Sequence, residues 1–159
     1  MFNVGAYKGT REENYQMVIK QLNALLEGET DQIANLANAS ALLNTFLEDV
    51  NWVGFYLQRG NELVLGPFQG LPACVRIKVG KGVCGTAVKE LKTMRIKDVH
   101  QFPGHIACDS ASRSEIVVPI HKNGKTIGVL DIDSPSTSRF DEVDQKYLEQ
   151  FVEVLTTYL

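Results

Sequence analysis

The chain has 159 residues, of which 44% are hydrophobic and 22% are charged, and its formal net charge is −3. This size and composition predict a single globular domain over residues 1–159 with a core of its own. Acidic and basic residues are mixed along the chain, which argues against nucleic acid as a partner because phosphate binding needs a concentrated basic surface.

Residues 1–5 lack the basic segment and long apolar run of a secretory signal. No apolar run approaches the roughly 20 residues that a transmembrane helix needs. We therefore expect a cytoplasmic protein that does not bind membranes. In such a reducing compartment, three cysteines indicate working thiols, metal ligands or buried small side chains rather than a structural disulfide framework.

The first third of the chain predicts two amphipathic helices. The first ends near Gly28, and the second begins near Thr30. The predicted apolar stripes consist of Val18, Leu22, Leu25 and Leu26 in the first helix, and of Ile33, Leu36, Ala37, Leu43 and Leu47 in the second.

Short elements follow in the middle of the chain. Residues 52–57 and 63–65 predict a hairpin, because both runs are rich in strand-forming residues and a polar turn separates them. The next predicted elements are a strand at 75–79, a helix at 82–91 and a strand at 94–99. Residues 100–113 have no clear period, and a loop of that length favours a functional role.

A second hairpin is the best-defined element. Strands at 115–121 and 125–133 flank Asn123-Gly124, which is a type I′ turn signal. A final amphipathic helix extends from about residue 140 through Leu155. This order predicts an α+β fold in which helices pack against a central antiparallel sheet.

The three cysteines have different predicted surroundings. Cys108 lies in the long polar loop near His100 and His105, where an imidazolium would lower its pKa from the usual value of about 8.5. Cys74 lies in another expected loop. Cys84 lies at a predicted helix start, where the helix dipole favours its thiolate. The alternative for both Cys108 and Cys84 is an ordinary buried cysteine.

Acidic and aromatic residues form a second candidate group. Strand alternation places Asp131 and Asp133 on one face, and Glu115 of the adjoining strand would join them. Mutual repulsion would then raise one pKa, so that a carboxylic acid donates a proton, and the cluster would attract an ammonium group. Trp52 and Tyr56 would form an aromatic wall. The alternatives are a solvated acidic rim and ordinary core aromatics.

The sequence predicts no cofactor and no metal. The glycine-rich stretch at residues 80–85 lacks the glycine spacing and strand–helix context of a nucleotide-binding fingerprint. A zinc site built from the cysteines and histidines is disfavoured because the chain has no C-x-x-C pair.

Four segments of the C-terminal third carry a recognisable pattern, at residues 114–120, 123–124, 127–134 and 140–141. These segments resemble those of GAF domains. A narrower set of motifs consists of WVGFY at 52–56, GPFQG at 66–70, AC at 73–74, GKGVCG at 80–85 and HIACD at 105–109. These motifs resemble those of the free methionine-(R)-sulfoxide reductases, a GAF-domain family.

This resemblance implies a thiol-dependent reduction of free L-methionine (R)-S-oxide to L-methionine. It implies that Cys108 attacks the sulfoxide and that Cys74 resolves the sulfenic acid as an intramolecular disulfide. Cys84 is a candidate for a second resolving or relay thiol, and which of Cys74 and Cys84 captures the sulfenic acid first stays open. A protein disulfide needs a dithiol reductant, so we expect recycling by thioredoxin. The predicted catalytic residues are Cys108, Cys74, Cys84 and Glu115, and the predicted substrate-binding residues are Trp52, Tyr56, Glu115, Asp131 and Asp133.

Other interpretations stay open at this point. The same fold accommodates a non-catalytic module that binds a small ligand, and the same thiols would serve a redox sensor without turnover. Because related GAF domains commonly dimerise through their helices, a homodimer is also expected.

Overall fold

The computed structural model describes residues 7–106 and 108–159. Residues 1–6 of the predicted domain and Ala107 of the 105–109 motif lie outside the described residues. Within the described ranges the elements are α1 (Arg11–Leu26), α2 (Gln32–Phe46), β1 (Trp52–Arg59), β2 (Glu62–Gly70), β3 (Arg76–Lys78), α3 (Gly82–Glu90), β4 (Met94–Ile96), a 3₁₀ turn (Val99–Gln101), β5 (Ser114–Lys122), β6 (Lys125–Ser134) and α4 (Glu142–Thr156).

The strands form an antiparallel sheet in the order β3-β2-β1-β6-β5-β4. The predicted α+β fold is confirmed. The turn between β5 and β6 has positive φ at both Asn123 and Gly124, as a type I′ turn requires. In the described part of the chain, none of the helices combines the length and the hydrophobicity that crossing a membrane requires.

Alternation along the strands creates apolar layers on the two faces of the sheet. The larger layer buries Val53 and Phe55 of β1 against α1, α2 and α4. The smaller layer buries Trp52 and Tyr56 of the same strand against α3. The face that α3 covers is therefore the face on which the sequence predicts the site.

Two details of the predicted elements are wrong. The buried face of α2 is centred on Leu36, Ala39 and Leu43, so Ile33 and Ala37 lie outside it and are exposed. The strand expected at 94–99 ends at Ile96, because β4 pairs with β5 over three residues before the chain enters the 3₁₀ turn.

A buried carboxylate joins α1 to α4. Asp144 is 2% exposed and accepts a hydrogen bond of 2.6 Å from the Tyr15 hydroxyl. Its oxygens also lie 3.1 Å from Arg11 Nη2 and 3.3 Å from Arg139 Nη1. At the start of α4, Asp144 completes a capping box with Asp141.

We expect Asp144→Ala to lower the free energy of unfolding by about 2–4 kcal/mol, because it removes one half of the capping box and leaves the buried Tyr15 hydroxyl without an acceptor. Tyr15→Phe is the matched control. It should cost only about 1 kcal/mol, since Asp144 keeps its other partners. Urea unfolding of the two variants checks the difference, and equal losses would contradict a central role for the carboxylate.

Candidate functional site

A cavity lies on the α3 face of the sheet and is bordered by the loops that precede β3 and β5. The structure brings seven of the eight predicted site residues into its lining. These are Trp52, Tyr56, Cys84, Cys108, Glu115, Asp131 and Asp133. The eighth, Cys74, is joined to Cys108 by a disulfide bond.

Strand register brings the acidic residues together. Glu115 of β5 pairs with Asp133 of β6, and Asp131 lies two residues along β6 on the same face. On the opposite edge of β6, Trp52 of β1 pairs with Asp133. The carboxyl groups and the indole therefore lie together on one face of the sheet, although they belong to three neighbouring strands.

Burial dominates the electrostatics of this cluster. Glu115 and Asp131 are each 6% exposed. Burial raises the pKa of Asp131, and it raises the pKa of Glu115 and Asp133 well above their usual range, with the negative charge of Asp131 adding to both shifts. The repulsion expected from the sequence is thus present, but desolvation is the larger cause. A carboxylic acid and a carboxylate can therefore coexist here near neutral pH.

Two carboxylate oxygens are left free to receive a ligand. Within the described residues, Oδ1 of Asp131 and Oδ1 of Asp133 accept no hydrogen bond. The other oxygen of Asp133 accepts a hydrogen bond of 3.1 Å from the Ser112 hydroxyl. A buried acceptor without a partner is costly, so these oxygens suit a donor such as an ammonium group.

A polar network that the sequence analysis missed supports this cluster from the loop before β5. The Asn51 amide donates to Asp109 Oδ2 at 2.9 Å and to the Ser112 hydroxyl at 3.1 Å. Ser112 in turn donates to Asp133. Asn51 and Ser112 lie in irregular segments that approach each other only in the fold, so no sequence period marks them.

The aromatic wall consists of three stacked rings. Trp52 stacks on Tyr56 with ring centroids 5.9 Å apart and on Phe68 with centroids 5.1 Å apart. The sequence analysis gave Phe68 no role. Gly54 lies between the two β1 aromatics, and the Trp52 ring and Phe68 occupy the space that a Cβ there would need. The wall therefore requires glycine at position 54.

The wall also holds the loop that carries Cys74. The Trp52 indole N–H donates to the Leu71 carbonyl at 3.2 Å, and the Tyr56 hydroxyl donates to the Cys74 carbonyl at 2.9 Å. Trp52 and Tyr56 are 3% and 2% exposed. They are therefore core residues that also line the cavity, and their role in substrate binding stays a prediction.

The cysteines occupy two environments. Cys74 and Cys108, whose Cα atoms are 5.7 Å apart, form a disulfide between the two loops that border the cavity. Cys74 is half-buried and Cys108 is exposed. Cys84 is buried near the start of α3 and is not part of that disulfide.

Cys84 is a thiol rather than a thiolate. Burial raises its pKa well above the usual value, and the charges of Asp131 and Glu115 raise it further. The expectation that the start of α3 stabilises a Cys84 thiolate is therefore wrong, because desolvation and two carboxyl groups outweigh the helix dipole.

His105 lines the cavity opposite the carboxyl groups. Its Nε2 is 4.0 Å from Glu115 Oε2. Burial, and then the nearby His100, lower its pKa. The His105 imidazolium that the sequence suggested beside Cys108 is thus disfavoured, and a neutral ring faces Glu115 instead.

With the disulfide formed, the cavity has a volume of about 40 Å³. That is room for about three water molecules. One group of its side chains has the donor types that metals prefer. Ligand atoms of Cys84, Glu115 and Asp131 lie within 4.8 Å of one another. The zinc site considered from the sequence consisted of cysteines and histidines. The fold instead brings one cysteine together with two carboxyl groups.

Comparison with known proteins identifies the family. Residues 21–159 match the GAF domain. The chain is 62% identical over 157 residues to Protein YtsP of Bacillus subtilis, covering 98% of this chain and 96% of that protein. It is 54% identical over 149 residues to the free methionine-R-sulfoxide reductase of Escherichia coli, covering 94% and 90%.

A solved structure agrees with this result. The X-ray structure of free methionine-R-sulfoxide reductase from Neisseria meningitidis, in complex with its substrate, superposes with a TM-score of 0.95 at 44% identity over 99% of this chain and 95% of that chain. Both the sequence and the fold are shared over nearly the full length. The chain therefore belongs to the GAF domain family, within the group that contains the free methionine-R-sulfoxide reductases.

Proposed function

We propose that this protein reduces free L-methionine (R)-S-oxide to L-methionine, using Cys108 as the attacking thiol and Cys74 as the resolving thiol. The observation that carries the proposal is the Cys74–Cys108 disulfide beside a cavity of buried carboxyl groups. A disulfide in that position is the protein product of such a reduction. The activity of the relatives named above supports the same reaction.

The reaction consumes two thiols for each sulfoxide. The Cys108 thiolate attacks the sulfur of the protonated sulfoxide, and a bond forms between the two sulfur atoms. The hydroxyl group then transfers to the Cys108 sulfur as the substrate sulfur–oxygen bond and the new sulfur–sulfur bond break, which releases methionine and leaves Cys108 as a sulfenic acid. The Cys74 thiol then attacks the Cys108 sulfur, the disulfide forms and the oxygen leaves as water. The two electrons that reduce the sulfoxide thus come from the two cysteines.

Glu115 is the proposed proton donor. Oxide is a poor leaving group, so the sulfoxide oxygen must be protonated as the bond breaks. Burial and two neighbouring acids raise the pKa of Glu115 well above its usual range, which keeps a proton available at neutral pH. The neutral His105 ring, with Nε2 4.0 Å from Glu115 Oε2, lies beside this acid.

The remaining groups select a free amino acid. The unpartnered oxygens of Asp131 and Asp133 offer acceptors for an ammonium group, which a residue within a peptide lacks. The Trp52–Tyr56 wall would hold the methyl and methylene groups, with about 0.8 kcal/mol gained for each CH₂ buried. By contrast, the phosphate of a nucleotide would meet the carboxyl groups that line the cavity, which disfavours a nucleotide-sensing role.

Recycling of the disulfide is proposed to use thioredoxin. Exposed apolar side chains flank both cysteines: Leu71 is 63% exposed, Val75 is 61% exposed and Ile106 is 38% exposed. We call these three residues the apolar collar. Exposed apolar side chains grouped around a reactive site favour a protein-binding surface, and a dithiol protein docked there would approach Cys108, which is exposed.

The proposal also includes a cytoplasmic location and a homodimer. Turnover needs a compartment that contains a dithiol reductant. Apolar side chains are exposed on the two N-terminal helices, with Met17 of α1 at 51% and Ile33 of α2 at 57%. They would contribute to an interface between two copies of the chain.

We expect Cys108→Ser to abolish methionine formation, because serine at that position supplies neither a thiolate nor a sulfenic acid. The measurement is NADPH oxidation coupled through thioredoxin and thioredoxin reductase with the R epimer of the free sulfoxide. Ser110→Ala, at an exposed position of the same loop, is the control and should retain turnover, since all three cysteines and the cavity residues remain. Turnover in Cys108→Ser would refute the assignment.

Asp133→Asn should raise the KM for the free sulfoxide about 10- to 100-fold, the equivalent of losing one charge-assisted hydrogen bond of about 1.5–3 kcal/mol. Its preference for the free substrate over N-acetylmethionine sulfoxide should fall equally. Glu115→Gln is the control and should lower kcat by about 10²- to 10⁴-fold instead.

In the unmodified protein kcat should fall as the pH rises through the pKa of Glu115, because only the protonated acid is active.

Val75→Asp should raise the KM for thioredoxin about tenfold or more, because a charge within the apolar collar opposes desolvation on docking. Turnover with dithiothreitol should not change, since a small reductant does not need the collar. Leu91→Asp, at a position 63% exposed beyond the end of α3, is the matched control. Equal effects of the two substitutions would refute the collar as the docking surface.

A further inference from the structure

The Cys84 thiol lies between two carboxyl groups on the wall of the cavity. Its Sγ is 3.9 Å from Glu115 Oε1, and the ligand atoms of Cys84, Glu115 and Asp131 lie within 4.8 Å of one another. The three residues are 4%, 6% and 6% exposed. A thiol is a weak hydrogen-bonding group, so an ammonium site alone does not account for a sulfur atom here.

We propose that Cys84, Glu115 and Asp131 form a binding site for a thiophilic divalent cation, Zn²⁺ above all, and that the bound ion inhibits the reductase. The inhibition rests on the function proposed above. The binding does not, because it follows from the donor set and the cavity alone.

The donor types and their spacing suit zinc. Zinc takes thiolate, imidazole and carboxylate ligands in tetrahedral sites, with bonds of about 2.3 Å to sulfur and about 2.0–2.2 Å to oxygen. Those bond lengths place sulfur and oxygen ligands about 3.6 Å apart. The observed distance of 3.9 Å between Cys84 Sγ and Glu115 Oε1 needs only a small contraction.

A second observation that favours a ligand is a buried oxygen atom without a hydrogen-bond partner. Asp131 is 6% exposed and lines the cavity, and its Oδ1 accepts no hydrogen bond from the described residues. Such an oxygen is costly until a cation or a donor meets it. The cavity of about 40 Å³ accommodates an ion together with one or two water molecules.

Binding exchanges protons for the metal without any change of oxidation state. The Cys84 S–H bond breaks and a bond from sulfur to zinc forms, while the carboxyl groups bind as carboxylates and their protons pass to the buffer. The cation also neutralises the crowded negative charges. His105, with Nε2 4.0 Å from Glu115 Oε2, or a water molecule would complete the coordination.

Inhibition follows from the overlap with the proposed substrate site. Glu115 bound to zinc has no proton to donate, and Asp131 bound to zinc has no free oxygen for an ammonium group. Because Cys84 lies outside the Cys74–Cys108 disulfide, the site exists in the oxidised protein as well as in the reduced one. A metal bound by Cys74 and Cys108 would require their reduced thiols. Metal binding to the oxidised protein therefore distinguishes the Cys84 site from binding by those two cysteines.

Cobalt titration of the oxidised protein tests binding. With Cys74 and Cys108 joined, we expect one Co²⁺ per chain and a near-ultraviolet charge-transfer band from a single thiolate. Cys84→Ser should abolish the band and weaken binding at least about tenfold, the lower end of the loss that even an outer-shell partner causes. Asp131→Asn should weaken binding while the band remains at saturation. His121→Ala, at an exposed histidine away from the cavity, should change neither.

Absence of a thiolate band in the oxidised protein, or equal affinity in Cys84→Ser, would overturn the metal site. Zinc inhibition is measured separately, as methionine formed in a single turnover by pre-reduced protein without added thiol. We expect the inhibitory zinc concentration to rise at least about tenfold in Cys84→Ser. Failure to form methionine without zinc would refute the reductase function and leave the cobalt result intact.

Discussion

The pairing of β5 with β6 places Glu115 opposite Asp133 and leaves Asp131 beside both, in a cavity of about 40 Å³. Glu115 and Asp131 are buried and Asp133 is partly buried, so all three acids carry a desolvation cost, and the pKa of each rises as a result. The proposed proton donor, the proposed acceptors for an ammonium group and the proposed cation site all depend on this single arrangement.

Differences in burial also give the three cysteines different acidity and different accessibility. Cys84 lies within the acidic cavity, so its proton is held tightly, whereas Cys74 and Cys108 lie in bordering loops that solvent reaches. Only a thiol outside the acidic cluster can ionise readily and also be reached by a protein reductant. The position of each sulfur relative to the carboxyl groups therefore separates the proposed redox pair from the proposed metal ligand.

The aromatic residues connect the core with this chemistry. Trp52 and Tyr56 belong to the apolar layer under α3, and their polar atoms hold the carbonyl groups of the Cys74 loop. A GAF domain can serve many functions, so the fold by itself does not specify this one. Here the proposed specificity depends on side chains of three strands that share one face of the sheet. Hydrogen bonds connect these side chains to two loops, and a disulfide joins the loops to each other.

Local pattern in the sequence determined the α+β class, the Asn123-Gly124 turn and the common face of Asp131 and Asp133, because turn chemistry and strand alternation depend on near neighbours. Resemblance in the motifs supplied the pairing of Cys74 with Cys108. Only the tertiary structure decided the protonation of Cys84, the neutral state of His105 and the exposure of Ile33. Each of these depends on what other segments bury, and burial between residues distant in sequence leaves no local pattern to read.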